Sequence, residues 1–230
     1  MKRGKRYIEK MSLIDSKKNY TPSEGASLLK SMKPAKFDES IEIHFRLGID
    51  PKHADQQLRG TLDLPHGTGK SVKIAVITTP DRFEDARKSG ADYVGGDDLI
   101  EKIQKGWLEF DLLLATPDVM SKVAKLGRIL GTKGLMPNPK SGTVTADLVQ
   151  SVRSFKTGKV EYRNDKTGIV HLIIGKVSFG VEQLKENFIA VYERILKEKP
   201  AKSKGNYLKS ITLCSTMGPG IKIEPQKLRW

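Results

Sequence analysis

Buried strands alternate with helices in the middle of the chain, and this pattern constrains the fold more than any other sequence feature. Largely apolar runs at residues 72–77 and 110–115, each with one charged residue near its start, are typical of strands buried on both faces. Around them lie a short strand at 92–94 and helical patterns at 81–89, 97–105, 118–130 and 146–155. Such alternation indicates parallel βαβ units with helices on both faces of one sheet. We therefore predict an α/β doubly wound (Rossmann-like) domain over residues 68–158.

The two flanking segments follow a different pattern. Residues 41–49 carry an apolar side chain at every odd position, which predicts a half-buried strand with His44 and Arg46 on its polar face. Thr21, Pro22 and Glu24 match a helix N-cap with a capping box. Further strands are predicted at 159–163, 168–176, 207–215 and 221–224, the first two joined by a turn at 164–167, and a second helix at 180–199.

These flanks together predict one discontinuous α+β domain, an antiparallel sheet with helices, formed by residues 1–67 and 159–230. Its two segments carry a net charge of +11 out of +14 for the whole chain. Such an excess favours a polyanion partner such as nucleic acid. An anionic membrane surface is the competing interpretation, but no long amphipathic helix with a lysine-rich face supports it. The single cysteine excludes an internal disulfide and fits a reducing cytoplasm.

Residues 127–145 contain no carboxylate, and none occurs between Asp118 and Asp147. Pro137 and Pro139 exclude a helix or a central strand there, so an ordered cationic loop is expected. Two interpretations fit this loop: a solvated surface segment, or a surface that faces an anion.

Some segments resemble motifs for catalysis or metal binding, but none of them has the residues or the spacing that its motif requires. Residues 66–71, HGTGKS, resemble the end of a P-loop, but Leu64 stands where the first glycine is needed and the loop precedes a strand. The four histidines do not pair with one another or with Cys214 at metal-ligand spacing along the chain, so no metal site is expected. Cys214 fits an alternating strand better than a nucleophile. We expect no catalytic residue and no cofactor.

Three short segments of the discontinuous domain are candidate RNA contacts. Residues 36–40 offer a cation, an aromatic ring and a hydroxyl, although Phe37 could equally belong to the core. A tight turn at 165–168 is a weak candidate by itself. Residues 210–220 place Met217 in a Gly-Pro-Gly turn, where either the domain or a partner must cover it.

Residues 131–145, GTKGLMPNPKSGTVT, resemble the signature of the ribosomal stalk protein L-one family in its bacterial form. The resemblance extends over essentially the whole chain. Family motifs match this sequence at four further places: Lys36, Phe37 and Ser40; Asp165, Lys166 and Gly168; Ser210; and Thr216, Met217, Gly218 and Pro219.

The resemblance implies a structural protein of the large ribosomal subunit, cytoplasmic and ribosome-bound, and not an enzyme. Its implied partners are large-subunit ribosomal RNA, deacylated tRNA in the exit site, whose release it aids, and the messenger RNA of its own operon, which it represses. No membrane partner is implied, and the chain is expected to be monomeric off the ribosome.

The predicted RNA-binding set combines the residue patterns with the resemblance: Lys36, Phe37, Ser40, Asp165, Lys166, Thr167, Gly168, His171, Ser178, Ser210, Thr212, Thr216, Met217, Gly218 and Pro219. Arg128, Lys133 and Lys140 form a predicted secondary basic loop, which either contacts RNA or supports the surface between the domains. Two rival functions are a nucleotide-dependent or transferase-like enzyme, which would need a glycine-rich strand-to-helix turn, and an assembly protein that holds RNA without moving.

Overall fold

A computed structural model of the chain describes residues 4–32, 35–203 and 205–225. The chain divides into two compact units, one built from Met1–Gly69 and Val160–Trp230 and the other from Lys70–Lys159. The prediction of a mixed α/β fold that contains an antiparallel sheet and helices is confirmed.

The helices are α1 (Lys5–Ser12), α2 (Pro22–Ser31), α3 (Phe83–Lys88), α4 (Asp97–Gln104), α5 (Met120–Val123), α6 (Gly127–Lys133), α7 (Leu148–Thr157) and α8 (Val181–Lys197). The strands are β1 (Ser40–Leu47), β2 (Arg59–Asp63), β3 (Ile74–Ile77), β4 (Tyr93–Gly95), β5 (Leu112–Ala115), β6 (Lys159–Arg163), β7 (Ile169–Lys176), β8 (Leu208–Ser215) and β9 (Ile221–Ile223). Within the described residues, no helix has the length and apolarity that a membrane crossing requires.

The first unit is organised by a four-stranded antiparallel sheet in the order β7–β1–β8–β9. Strict alternation along β1 buries Ile41, Ile43 and Phe45 completely, as the sequence pattern predicts. These side chains join one apolar core with residues of α2 and α8, such as Leu29 and Phe188. The opposite face of the sheet therefore carries the even-numbered side chains of β1.

The start of α2 confirms the predicted capping box. The Glu24 amide donates to Thr21 Oγ1 at 3.3 Å, and the Thr21 amide donates to Glu24 Oε2 at 2.9 Å. Two amides at the helix N-terminus thus gain acceptors that the helix itself does not supply.

Strand β6 has a different partner from the one that the sequence suggests. The turn at 164–167 joins β6 to β7, but β6 pairs with β2 in a separate two-stranded sheet. Asn164 explains the difference, since its side-chain Oδ1 accepts from the Leu58 amide at 2.7 Å and its own amide donates to the Leu58 carbonyl at 3.1 Å. Strand β2 and helix α1 were not predicted from the sequence.

The second unit contains a three-stranded parallel sheet in the order β4–β3–β5. Apolar clusters cover both faces, one around Ala75 and Ile77 and the other around Ile74 and Val76. The continuous apolar sequence of β3 follows from this double burial.

The helix predicted at 118–130 is broken and also longer than expected. Two short 3-10 segments, Pro117–Val119 and Ala124–Leu126, flank α5, and α6 continues to Lys133. The first part of the predicted loop at 127–145 is therefore helical. Gly134 ends α6 with a positive φ of 72°, and the Leu135 amide closes the end by donating to the Leu130 carbonyl at 2.9 Å.

Candidate nucleic-acid interface

One face of the four-stranded sheet is lined with hydroxyl, imidazole and other polar groups. We call it the polar sheet face: the even-numbered side chains of β1 and β8 with the odd-numbered side chains of β7. Its members are half-buried or exposed, apart from Gly175, and most of their neighbours along each strand are buried in the core. Three predicted RNA-binding residues, His171, Ser210 and Thr212, lie along the middle and one end of this face. Strand register places His44 opposite both His171 and Thr212, and Arg46 opposite Ser210.

Glu39 organises the end of the sheet where β1 begins. Its carboxylate is almost completely buried, with 1 % of the residue exposed. Oε1 accepts from the Ala35 amide at 2.8 Å, Oε2 accepts from the Met217 amide at 2.9 Å, and Lys10 Nζ lies 3.4 Å from Oε1. One carboxylate thus holds the segment before β1 and the turn after β8 in fixed positions.

The charge of Glu39 is stabilised in spite of its burial. Burial by itself raises the pKa of a carboxyl group, because the ionised form loses its hydration. Hydrogen bonds from the Ser215 side chain and from the Met217 and Ala35 amides, with the Lys10 ammonium, outweigh that effect and hold the pKa of Glu39 below its usual value.

Phe37 and Met217 project from these two held segments into solvent. Phe37 is 53 % exposed and Met217 is 59 % exposed. The alternative that Phe37 belongs to the core is therefore wrong, and the domain does not pack over Met217. Large apolar side chains held outside the core by ordered backbone are suited to contact a partner, and a phenyl ring can stack on a base.

Ser40 and Thr216 join the same two segments by one backbone hydrogen bond and one side-chain hydrogen bond. The Thr216 amide donates to the Ser40 carbonyl at 3.0 Å, and the Ser40 amide donates to Thr216 Oγ1 at 3.1 Å. Lys176 Nζ donates to Ser40 Oγ at 3.0 Å. A hydroxyl that accepts in this way keeps its own hydrogen to donate to a phosphate or a ribose oxygen.

The turn at 215–219 has room only for glycine at position 218. A Cβ added to Gly218 would collide with Ser215 Oγ, the hydroxyl that supports Glu39. Pro219 is buried, and the Gly218 amide donates to the Ser215 carbonyl at 2.9 Å. Gly218 and Pro219 therefore fix the shape of the turn, whereas Thr216 and Met217 present side chains outward.

Ser178 lies at the same end and is held by Asp38. The Ser178 amide and hydroxyl donate to the Asp38 carboxylate at 3.1 and 2.7 Å. This pairing links the segment after β7 to the segment that carries Phe37. Lys36, exposed beside Phe37, supplies a cation there.

The Asp165 turn lies at the other end of the polar sheet face. Asp165 Oδ1 accepts from the Thr167 and Ile169 amides at 2.9 and 2.7 Å, and the Thr167 hydroxyl also donates to the carboxylate. Gly168 has a φ of 78° and packs against Leu47 and Ile49. Asp165 and Gly168 therefore shape the turn, and Lys166 is its exposed cation.

The predicted residues thus form two clusters on one surface. The Ser40 end carries Lys36, Phe37, Ser178 and the turn at 215–219, and the Arg46 end carries the turn at 165–168 and Ser210. Six residue steps along β1 separate them by roughly 20 Å at about 3.4 Å per residue. His171 and Thr212 lie between the two clusters.

Glu39, Asp38 and Lys10 support this surface, and the sequence-based set did not include them. A signal for Glu39 was present, since it shares the odd-numbered parity of the buried side chains of β1. The Lys10 contact joins residues 29 positions apart, and local patterns do not predict such a contact.

The secondary basic loop belongs to the second unit. Arg128, Lys133 and Lys140 are exposed there. Asn138 shapes the loop, because its side-chain Oδ1 accepts from the Lys140 amide at 2.8 Å and its own amide donates to Thr143 Oγ1 at 2.7 Å. Ser141 and Thr143 are buried, so the segment after Gly134 is ordered, and it includes a short 3-10 helix at Pro139–Ser141.

The remaining motifs have structural explanations. The P-loop-like segment is tied to α8, since the His66 amide donates to Asn187 Oδ1 at 3.0 Å and Asn187 Nδ2 donates to the Gly67 carbonyl at 2.9 Å. Burial and the nearby Glu42 carboxylate raise the pKa of the Cys214 thiol to about 11, which disfavours a nucleophilic thiolate. Spacing along the chain did, however, miss the proximity of His44 to both His171 and Cys214, which strand pairing creates.

Comparison with known proteins shows which family the chain resembles. Residues 29–219 match the model of the "Ribosomal protein L1p/L10e family". The chain is 54 % identical over 227 residues to a protein of Kosmotoga olearia described as "Large ribosomal subunit protein uL1", and the match covers 99 % of this chain and 98 % of that protein.

Proposed function

This chain belongs to the ribosomal protein L1p/L10e family, and from that premise we propose that its polar sheet face holds large-subunit ribosomal RNA at the stalk beside the tRNA exit site. The family consists of structural ribosomal proteins, so the prediction that the chain is not an enzyme is confirmed. The proposed location is the cytoplasm, on the ribosome.

One observation carries the proposal: Phe37 and Met217 are exposed on two segments that the single buried carboxylate of Glu39 holds in place. An exposed ring held in this way can stack on an unpaired base without a large loss of conformational entropy. Ser40, Ser210 and Thr212 add hydroxyl groups along the face, and hydroxyls are suited to ribose and phosphate oxygens. Lys36 and Lys166 bring a cation to each end, which favours an RNA segment that crosses the whole face.

We propose the same two-domain organisation that the sequence pattern predicts, with a doubly wound domain over 68–158 inserted into an RNA-binding domain of residues 1–67 and 159–230. The parallel order β4–β3–β5 and the apolar clusters on both of its faces support the inserted domain. Arg128, Lys133 and Lys140 make a secondary RNA contact in this scheme.

The test is binding of the full-length chain to a stalk-region fragment of large-subunit ribosomal RNA, measured by fluorescence anisotropy over a series of salt concentrations. An unrelated hairpin of equal length is the matched control. We expect the stalk fragment to bind at least about a hundredfold more tightly than the hairpin. We expect its affinity to fall steeply with salt, since cations that contact phosphates release counterions. Equal affinity for the two RNAs would overturn the proposal.

Two finer roles rest on the family and on the same surface. We propose that the chain aids release of deacylated tRNA from the exit site, and that it represses translation of its own operon messenger by binding an RNA fold similar to the ribosomal one. For release, ribosomes depleted of the chain should lose labelled deacylated tRNA faster after the chain is added back. An unchanged release rate would support the rival of an assembly protein that does not move.

For repression, a messenger leader that shares the ribosomal fold should compete with the stalk fragment for one surface. Met217→Ala should weaken binding of both RNAs by a similar factor. Loss of binding to one RNA alone would show that the two do not share the site.

A further inference from the structure

Four metal-binding side chains meet in the middle of the polar sheet face. Glu42 and His44 extend from β1, His171 from β7 and Cys214 from β8. Strand register creates the arrangement, because Glu42 lies opposite Cys214 and His44 lies opposite His171. Residues two apart on one strand share a face, so Glu42 and His44 also lie side by side.

The ligand atoms of Glu42, His44 and Cys214 are spaced for one metal ion. His44 Nε2 lies 3.1 Å from Cys214 Sγ and 3.9 Å from Glu42 Oε2. One ligand atom from each residue lies within 4.8 Å of the others. Ligands of tetrahedral zinc, at about 2.0–2.3 Å from the metal, are separated from each other by roughly 3.3–3.6 Å. Small side-chain rotations would bring the three atoms to these distances.

The other ring nitrogen of His44, Nδ1, has a partner that orients the imidazole ring for metal binding through Nε2. His44 Nδ1 lies 2.8 Å from His171 Nδ1, and His171 Nε2 lies 3.7 Å from Asp165 Oδ2. When His44 Nδ1 donates to His171, the lone pair of His44 Nε2 points toward Cys214. Histidines that bind metals are commonly oriented by such a bond at the other ring nitrogen.

The three residues are accessible to an ion from solvent. The side chains of Glu42 and His44 are 36 % and 24 % exposed, and Cys214 is half-buried. Backbone pairing between β1 and β8 fixes the spacing, so little conformational entropy would be lost when an ion binds.

We propose that Glu42 Oε2, His44 Nε2 and Cys214 Sγ form a binding site for a divalent zinc ion, with water in the fourth position. A thiolate with an imidazole selects zinc over magnesium or calcium, which prefer oxygen ligands. The ion replaces the thiol hydrogen between Cys214 and His44, and that proton is released to the buffer. The site goes beyond the proposed RNA binding and does not depend on it.

Cobalt(II) is the probe for the first test, because a thiolate ligand gives it a strong near-ultraviolet charge-transfer band. The chain contains one cysteine, so the band reports on Cys214 alone. We expect untagged, reduced, full-length protein to develop the band with one equivalent of cobalt and to lose it when zinc is added. Absence of the band in folded wild-type protein would overturn the proposal.

Two variants and one control test the cysteine and histidine ligands by calorimetric titration with zinc. Cys214→Ser and His44→Gln are each expected to weaken zinc binding at least about tenfold, with an unchanged circular dichroism spectrum. His53→Gln is the matched control, since His53 is an exposed histidine of the same unit that lies 3.7 Å from Asp50, and it should bind zinc like the wild type. Wild-type affinity in Cys214→Ser or in His44→Gln would overturn the proposed ligand set.

Discussion

At the scale of single residues, Glu39 explains how the candidate surface is built. A buried carboxylate without partners would destabilise the fold, but this one accepts from amides on two separate segments and lies beside Lys10. The same bonds that satisfy its charge position Phe37 and Met217. Stability and site geometry therefore depend on one side chain.

Glu39→Gln should lower the free energy of unfolding by about 1–3 kcal/mol, because the amide cannot accept from both segments and leaves a buried group unsatisfied. Urea denaturation measures the change, and Glu193→Gln, an exposed glutamate on α8, is the control. An effect no larger than that of the control would show that Glu39 does not hold the two segments.

The effect of Glu39 should also depend on pH in a defined direction. The folded state lowers the pKa of Glu39 below the ordinary value of 4.5. The stabilisation is therefore present above pH 4.5 and is lost as the pH falls through the lower, folded-state pKa. The stability difference between wild type and Glu39→Gln should shrink over that acid range. A difference that grew as the pH fell would contradict the assignment.

Gly218→Ala tests the space in the turn. The added methyl group meets the Ser215 hydroxyl, so we expect a loss of stability of about 1–3 kcal/mol. Gly131→Ala is the matched control, because no atom lies within 4 Å of the added carbon and the position is in α6. The control should be neutral or stabilised by up to about 1 kcal/mol. Equal thermal stability of the two variants would contradict the steric argument.

At the scale of elements, the sequence predicts the helices and strands that have a clear hydrophobic periodicity or a capping motif. The alternation in β1 and the capping box of α2 are local signals, and both predictions are confirmed. The pairing of β6 with β2 depends instead on Asn164, which bonds to a residue 106 positions away. The helix predicted at 118–130 breaks at Ala124–Leu126, whose residues are good helix formers, and the one local signal beside the break is Gly127.

The residues of the candidate site also divide into those that sequence motifs predict and those that only long-range contacts reveal. Family motifs supplied Phe37, Met217 and Lys166, which are exposed as a contact surface requires. The supporting contacts of Glu39 with Lys10 and Met217 span many residues and needed the folded chain. The proximity of His44, His171 and Cys214 is likewise a property of strand register, which spacing along one strand does not reveal.

Thr21→Ala tests the cap of α2. Loss of the Oγ1 acceptor for the Glu24 amide should cost about 1 kcal/mol of unfolding free energy. Thr21→Ser keeps the acceptor and should stay near wild type in the same denaturation experiment. If serine and alanine destabilise equally, the hydroxyl is not the stabilising group.

At the scale of the whole molecule, we propose that net charge supplies attraction to RNA and that the polar sheet face supplies selectivity. A charge of +14 draws the chain to any polyanion, and salt screens this attraction. Lys166→Gln should therefore reduce the slope of log affinity against log salt by about 1. The control is Lys199→Gln, because Lys199 is an exposed lysine of the same unit, and this variant should leave the slope unchanged. Equal slopes for the two variants would contradict the placement of RNA at the Asp165 turn.

The most direct test of the central claim is the affinity of Phe37→Ala and Met217→Ala for the stalk-region ribosomal RNA fragment at one salt concentration. Leu196→Ala is the control, because Leu196 is also an exposed apolar residue of this unit, 41 % accessible, but lies on α8. We predict that Phe37→Ala loses about 1–3 kcal/mol of binding free energy, as expected for a lost base-stacking contact. Met217→Ala should also weaken binding, and Leu196→Ala should bind like the wild type. Wild-type affinity in both test variants would contradict the assignment of RNA to the Ser40 end of the polar sheet face, beside which Phe37 and Met217 lie.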